Sequence, residues 1–484
     1  MRGAGLEARK LKLHTMLAYG IGGIGEAVKN VGFNTFLLFY YNQVLHVPAT
    51  GTSIVLAIAL IFDAVTDPVA GSLSDKLHSR WGRRHPFILF SAVPLALAFY
   101  LLFNPPELSE LGYLIWLAVF AIAVRAAMTF YHVPHLALGA EMASDYRQRS
   151  TMYGFATFFG FAGAAVFTPL SYLLFFPTTE AFSPGLLNQA AYSGWTLFAG
   201  GIIVFAIFTC VLGTYTEIPY LRKQEAISQE RFSLTRLVRE LMDAMRNKSF
   251  RAIFIGMVFT TLILAVEAVF NPFMGFHFYG FTTEQLALIP LGQFVGLLSS
   301  LALTPLLTSR FDKKPTLVGG ALAIVVLVNF PIIMLLLEIP WFPQPGSMAL
   351  LSLLVFTLGS VTMLAVVVFA SLNSMFADIA DEHELEIGER REGILFAARS
   401  FATKSTASIG LVFGGILLDF IQFPRGARMG TVPEDIVWSL GFIAGPATSV
   451  FTIAGLLMYL GYRIDSRRHQ EIVAELTARR TSLS

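Results

Sequence analysis

The chain has 484 residues, of which 55% are hydrophobic and only 14% charged. A soluble domain carries about a quarter charged residues, so this composition excludes an ordinary water-soluble globule. The net charge of +2 gives no cause to expect a nucleic-acid partner, and a single cysteine, Cys210, excludes a disulfide framework.

Apolar stretches of about 20 residues or more recur along the chain, each long enough to cross a bilayer as a helix. The basic start (Arg2, Arg9, Lys10, Lys12) leads into a span too long and too dotted with polar residues for a secretory signal. Twelve helical spans are predicted, at 14–44, 51–74, 87–104, 113–141, 150–176, 193–218, 250–279, 283–308, 315–337, 347–376, 393–421 and 434–463. The polar stretch 219–249 separates the sixth from the seventh. Within it, Phe232 to Met242 alternates apolar and basic residues at helical spacing, the pattern of a helix lying on a membrane surface. The expected class is an all-α integral membrane protein with twelve transmembrane helices in two six-helix halves. The expected divisions are a first half over 1–218, a linker over 219–249, a second half over 250–465 and a basic tail over 466–484.

Lysine and arginine set the orientation. They crowd the turn after span two (Lys76, Arg80, Arg83, Arg84), the turn after span four (Arg147, Arg149), the linker, the turn after span eight (Arg310, Lys313, Lys314) and the tail. The loops between have none, except Arg425 and Arg428. Both termini are therefore expected in the cytoplasm. Short basic turns at corresponding places in the two halves fit the internal repeats of secondary transporters, whose site lies between the repeats.

Ionisable residues within the spans are few, and each is expensive at membrane depth. Asp63 and Asp67 stand i, i+4 inside an apolar run, so both carboxylates share one helix face. Either a fixed basic neighbour neutralises them or they hold a cation or proton. Two close carboxylates repel unless a positive charge sits between them. Thr66 adds a hydroxyl oxygen, and Pro68 disturbs the hydrogen-bond ladder. Arg125, Thr129 and His132 share a face of span four, and Pro134 bends the helix beside them. His132 and Arg125 are candidate substrate contacts, against the blander reading of a satisfied core histidine. Glu26 is a further candidate, although Lys29 at i+3 is placed to neutralise it. Glu267 precedes a second proline kink at Asn271-Pro272. Lys404 lies in a polar stripe of small residues, where it suits a counter-ion for a carboxylate. Asp378, Asp381 and their acidic neighbours sit at a charged loop with Arg390. A salt-bridged cytoplasmic gate, with Arg83 and Arg84 on the other half, or a solvated loop explains them better than a metal site. No nucleophile–base pair, zinc spacing or phosphate loop is present, so no enzyme is expected, and no cofactor beyond a coupling ion.

The run Asp63-Ala64-Val65-Thr66-Asp67-Pro68-Val69-Ala70-Gly71, followed by Ser79-Arg80-Trp81-Gly82-Arg83-Arg84-His85-Pro86-Phe87, resembles the glycoside–pentoside–hexuronide:cation symporters, the melibiose-carrier-like branch of the major facilitator superfamily. The glycine-rich run Tyr19 to Gly25, Val133-Pro134 and Phe376 to Asp381 extend the resemblance over nearly the whole chain. It implies a major facilitator fold, with Asp63, Asp67, Thr66 and Thr129 as cation ligands and Lys404 beside them. It also implies that His132 stands where sugar carriers place an acid, and Thr157 where they place an arginine. The galactoside clamp is thus absent. His-Val-Pro, with Thr between the aspartates, is similar to the animal sodium-dependent lysophospholipid symporters of the same family. The expected function is Na+- or H+-coupled symport by alternating access, of a glycoside or related sugar, with a lysolipid as the rival substrate. A monomer in the cell membrane, in contact with membrane lipid, completes the expectation.

Overall fold

The structure, a computed structural model, describes residues 11–77, 79–143, 146–221, 242, 244–387 and 392–483. Arg390 and the linker helix expected at 232–242, save Met242, lie outside them. Among the described residues every element is a helix. In chain order the long ones are α1 (Leu13–Val31), α2 (Ala49–Lys76), α3 (His85–Leu102), α4 (Glu110–Met142), α5 (Tyr146–Phe175), α6 (Ala191–Thr214) and α7 (Lys248–Phe273). There follow α8 (Ile289–Arg310), α9 (Lys313–Leu336), α10 (Met348–Ile387), α11 (Glu392–Phe420), α12 (Glu434–Phe442), α13 (Thr448–Tyr459) and α14 (Ser466–Leu483). The first stretch continues beyond α1 through π-helical turns at Gly32–Leu37 and Tyr40–Val44, and a similar turn at Ile443–Ala447 joins α12 to α13.

Local chemistry sets the ends. Ser109 caps α4 by accepting from the Gly112 N–H at 3.2 Å, and Asn247 caps α7 from Phe250 at 3.0 Å. Asp312 opens α9 by accepting from the Lys313 N–H at 2.7 Å. Among the described residues, ten helices are long and apolar enough to cross a membrane. The first stretch is not among them, and α2 opens with the apolar run Ala49–Asp63. Glu26 and Lys29 lower the hydropathy of the first stretch.

The chain forms two compact units. The first comprises Met1–Arg231 with the short segments Thr282–Ala287 and Pro424–Arg428. Here α1 packs on α5 and α6, α3 on α4 and α6, and α2 on α4. Small residues permit the close approaches, as expected where packing rather than water exclusion holds helices together. A Cβ at Gly23 would stand 2.5 Å from the Ala156 carbonyl oxygen, so the glycine run of α1 is what lets it lie against α5. An aromatic cluster fills the far end of this unit. Fully buried Trp195 lies 4.6 Å from the Phe36 ring and 5.0 Å, edge on, from Phe103. Its indole N–H is satisfied by Ser171 Oγ at 2.9 Å. Arg425, an exception to the loop-charge pattern, donates to the His46 carbonyl at 2.8 Å, so it ties a loop together.

The second unit comprises Phe232–Phe281, Leu288–Phe423 and Met429–Ser484. It packs α7 against α11 and α13, and α8 and α9 against α10. A Cβ at Gly359 of α10 would meet the Gly292 carbonyl oxygen of α8 at 2.8 Å, a contact only small residues allow. One end of this unit is closed by α14, whose Ile472 and Leu476 are buried beside Phe250, Met375 and Phe376. The stretch expected as a basic tail is thus a docked amphipathic helix.

One expectation is corrected here. Asp378 and Asp381 do not lie in a loop; they sit within α10, which runs on past 376 to Ile387. The charges do not break the helix because partners from α9, α14 and the Tyr462 turn satisfy them.

Candidate functional site

In the first unit, α2 presents Asp63 and Asp67 to the face of α4 that carries Arg125, Thr129 and His132. Arg125 Nη1 donates to Asp63 Oδ2 at 2.7 Å. Thr129 Oγ1 lies 3.0 Å from Asp67 Oδ1 and 3.4 Å from Asp63 Oδ1. A hydroxyl has one proton to give, so Thr129 donates to one carboxylate at a time, and the shorter distance favours Asp67. Three hard oxygens therefore converge on one point, one from each aspartate and one from Thr129. That is the donor set an alkali cation accepts, since hard cations take oxygen ligands.

Arg125 is held loosely for a charge so little exposed, with an 11% exposed side chain. Its Nε has no hydrogen-bond partner, and its guanidinium lies over the Phe33 ring at 5.0 Å. Lys29 Nζ approaches the same ring at 5.6 Å and donates to Asn30 Oδ1 at 2.7 Å. Phe33 thus faces two cations, a role that sequence reasoning does not reach; its spacing of four from Lys29 is the only hint.

The remaining candidates fall in different places. Glu26 Oε2 stands 2.8 Å from His132 Nδ1, with both side chains about one-third exposed, so α1 and α4 are bridged by an acid–imidazole contact. Thr66 turns its hydroxyl back onto its own helix, donating to the carbonyls of Phe62 at 3.1 Å and Asp63 at 3.3 Å, and does not join the two carboxylates. Thr157 is exposed on α5. Lys404 is half-buried on α11 of the second unit, where its carbonyl accepts from Ser408 at 2.9 Å.

Of the residues expected to form a gate, those described make two clusters, one in each unit. Arg83 meets Glu141 at 3.2 Å, while Arg84 meets Glu141 at 2.8 Å and also bonds Asp75 and Ser74. In the second unit, Asp378 receives Lys313 Nζ at 2.7 Å on both oxygens and the Tyr462 hydroxyl at 2.9 Å. His469 Nε2 lies 3.4 Å from both Asp378 Oδ1 and Asp381 Oδ2. Burial, then the charge of Asp378, pushes the Tyr462 hydroxyl well above the usual phenol range. Among the described residues no set of three His, Cys, Asp or Glu side chains is arranged to hold a metal ion. Glu141, Tyr462 and His469 carry no local signal in the sequence, because each acquires its role from a helix distant in the chain.

Long apolar helices with a small set of ionisable groups inside them define an integral membrane transporter. The model of the family described as MFS/sugar transport protein matches residues 18–466, and the chain belongs to that family. The resemblance to the glycoside–pentoside–hexuronide:cation symporters stands. The chain is 25% identical to an uncharacterized symporter of Synechocystis, over 98% of each chain. It is 26% identical to the isoprimeverose transporter of Lactiplantibacillus pentosus, over 80% of this chain and 75% of that one. It is 24% identical to the sodium-dependent lysophosphatidylcholine symporter 1 of Gallus gallus, over 96% of this chain and 88% of the relative. Among solved structures, a bacterial homologue of the human lysosomal transporter Spinster shares the fold, with a TM-score of 0.60 and 14% identity over 95% of this chain and 97% of that one.

Proposed function

We propose that this chain is a cation-coupled symporter of the cell membrane, carrying a glycoside or related sugar together with Na+ or H+. The observation that carries the reading is the convergence of Asp63, Asp67 and Thr129 beside Arg125. A cation entering among the three oxygens competes with Arg125 for Asp63. The released guanidinium then becomes available to a substrate hydroxyl or anionic group, so ion and substrate binding favour one another. His132, Glu26 and Thr157 belong to the substrate side of this scheme. Lys404 acts as the second half's positive counterpart to the cation site. Twelve spans in two six-helix halves, over 1–218 and 250–465 and joined by the 219–249 linker, would alternate access to it, with both termini in the cytoplasm. The Arg83–Arg84 cluster and the Asp378–Asp381 cluster would brace the cytoplasmic ends of their own halves. The protein works as a monomer in this reading.

The membrane potential drives accumulation by about 2.3 kcal/mol per elementary charge at 100 mV. A lysolipid is the second reading, supported by similarity to the lysophosphatidylcholine symporter and by His132 standing in place of an acid. The deciding experiment is uptake into vesicles of the full chain under imposed Na+ or H+ gradients, with labelled glycosides in one arm and lysophosphatidylcholine in the other. Gradient-driven uptake of a glycoside supports the proposal. Uptake of lysophosphatidylcholine alone replaces the substrate, and gradient-independent uptake removes the coupling.

A further inference from the structure

A cleft of about 670 Å3 opens on the first unit between the end of α2, the start of α3 and the middle of α4. That lies within the ~300–1,000 Å3 span of ligand clefts. Its walls are aromatic. Trp81 stacks on Phe90 at 6.4 Å, and Phe87 stacks on Phe130 at 6.0 Å, with Pro94 also in the lining. Phe90 on its wall is 68% exposed, and Val93 and Leu97 on the same side of α3 are 62% and 55% exposed, so the cleft opens on an apolar outer face of the unit.

The charge at its mouth is uneven. Of three arginines in the turn, Arg83 and Arg84 are neutralised by Glu141 and Asp75. Arg80 has no carboxylate partner among the described residues; its guanidinium lies 5.7 Å from the Trp81 ring, at the rim of the cleft. The turn is built to hold it there. Ser79 Oγ donates to the Gly82 carbonyl at 2.8 Å and accepts from the Trp81 N–H at 3.1 Å. Gly82 adopts φ 82°, which a side chain would resist. A cation with no carboxylate partner among the described residues thus sits at the head of an apolar cleft, beside a tryptophan whose amphipathic ring suits the level of lipid headgroups.

We propose that this cleft binds one anionic membrane phospholipid, its phosphate on Arg80 and an acyl chain along Trp81, Phe87, Phe90 and Phe130. The site is separate from the Asp63–Asp67 cluster and does not depend on what is transported. Trp81 supplies the test. The full chain is reconstituted in phosphatidylcholine vesicles doped, at equal mole fraction, with mid-chain dibrominated phosphatidylglycerol or dibrominated phosphatidylcholine. The difference between the natural protein and Trp81→Phe isolates the Trp81 emission. The expected result is that phosphatidylglycerol quenches it at about fivefold lower mole fraction than phosphatidylcholine. Arg80→Gln should abolish that preference, and Arg80→Lys should keep most of it, which separates charge from folding. Equal quenching by both lipids, quenching by neither, or a preference that survives Arg80→Gln overturns the proposal.

Discussion

Asp63 and Asp378 are both carboxylates on long helices, both largely shielded from solvent, and both facing a basic residue at 2.7 Å. The likeness ends there. Asp378, with a side chain only 4% exposed, takes Lys313 on both oxygens, the Tyr462 hydroxyl, and His469 at longer range. A carboxylate offers about four acceptor positions, and Asp378 fills them with its own chain. Asp63 takes Arg125 on one oxygen and only a long approach from Thr129 on the other. The first group is part of the scaffold, tying α9, α10 and α14 together. The second keeps acceptor capacity in reserve, and reserve is what a visiting cation needs.

The sharpest way to break this contrast is to neutralise each aspartate in turn. Asp63→Asn and Asp67→Asn should leave insertion and folding intact while erasing the cation's effect on substrate binding, an effect of about 5–150-fold in ordinary linkage. The measurement is substrate affinity with and without the cation. A double set of variants that kept full cation dependence would make the α2 pair structural. Asp378→Ala should do the reverse. Removing one member of a buried ion pair costs about 3–5 kcal/mol, so thermal unfolding in detergent should fall steeply while any residual uptake keeps its cation dependence. A variant of normal stability and lost coupling would move Asp378 into the transport machinery.

A finer test addresses the bridging hydroxyl. Thr129→Val keeps the shape and deletes the donor that Asp67 uses at 3.0 Å. Losing a hydrogen bond to a charged group costs about 1.5–3 kcal/mol, and losing a cation ligand adds to it. Cation affinity should drop about tenfold or more, with substrate affinity at saturating cation unchanged. Unaltered cation affinity would mean that the hydroxyl merely packs between α2 and α4.

The contrast also explains what could be read from the sequence. Asp63, Asp67 and the Arg125–Thr129–His132 face were legible because helical spacing alone aligns them, and because a charge in an apolar run is anomalous wherever it sits. Element positions were legible for the same reason: apolar length is a one-dimensional property. The partner of each charge was not. Glu26 has Lys29 three residues away, yet its close contact is His132, on another helix. Thr66 stands between the aspartates in sequence, yet its hydroxyl serves its own backbone. The charged run at Asp378–Glu384 reads as a loop because the partners that satisfy it in the fold are distant in the chain. Lys313, Tyr462 and His469 keep it helical, and they lie 65, 84 and about 90 residues away.

The smallest effect is expected at the edge of the scaffold cluster, where Asp312 caps α9 and also holds the start of α14. It accepts from the Lys313 N–H at 2.7 Å, the Ser466 N–H at 3.1 Å and the Ser466 hydroxyl at 3.0 Å. Burial alone would raise its pKa, but those bonds and the Lys313 charge outweigh it and hold the carboxyl below its ordinary value. A depressed folded value means the unfolded chain binds the proton more readily. The stabilisation is therefore complete above the unfolded pKa of about 3.9 and fades as pH falls through the lower folded value. Asp312→Asn keeps the cap, since Asn caps as well as Asp, and removes only the charge at the start of α9, which should cost about 0.3–1 kcal/mol near neutral pH. The more telling readout is the difference between variant and natural protein, which should shrink on acidification below about pH 4, because protonation removes in the natural chain what the substitution has already removed. A difference that stayed constant down to that pH would show that the charge of Asp312 is idle and that α14 is held by its buried Ile472 and Leu476 and by His469.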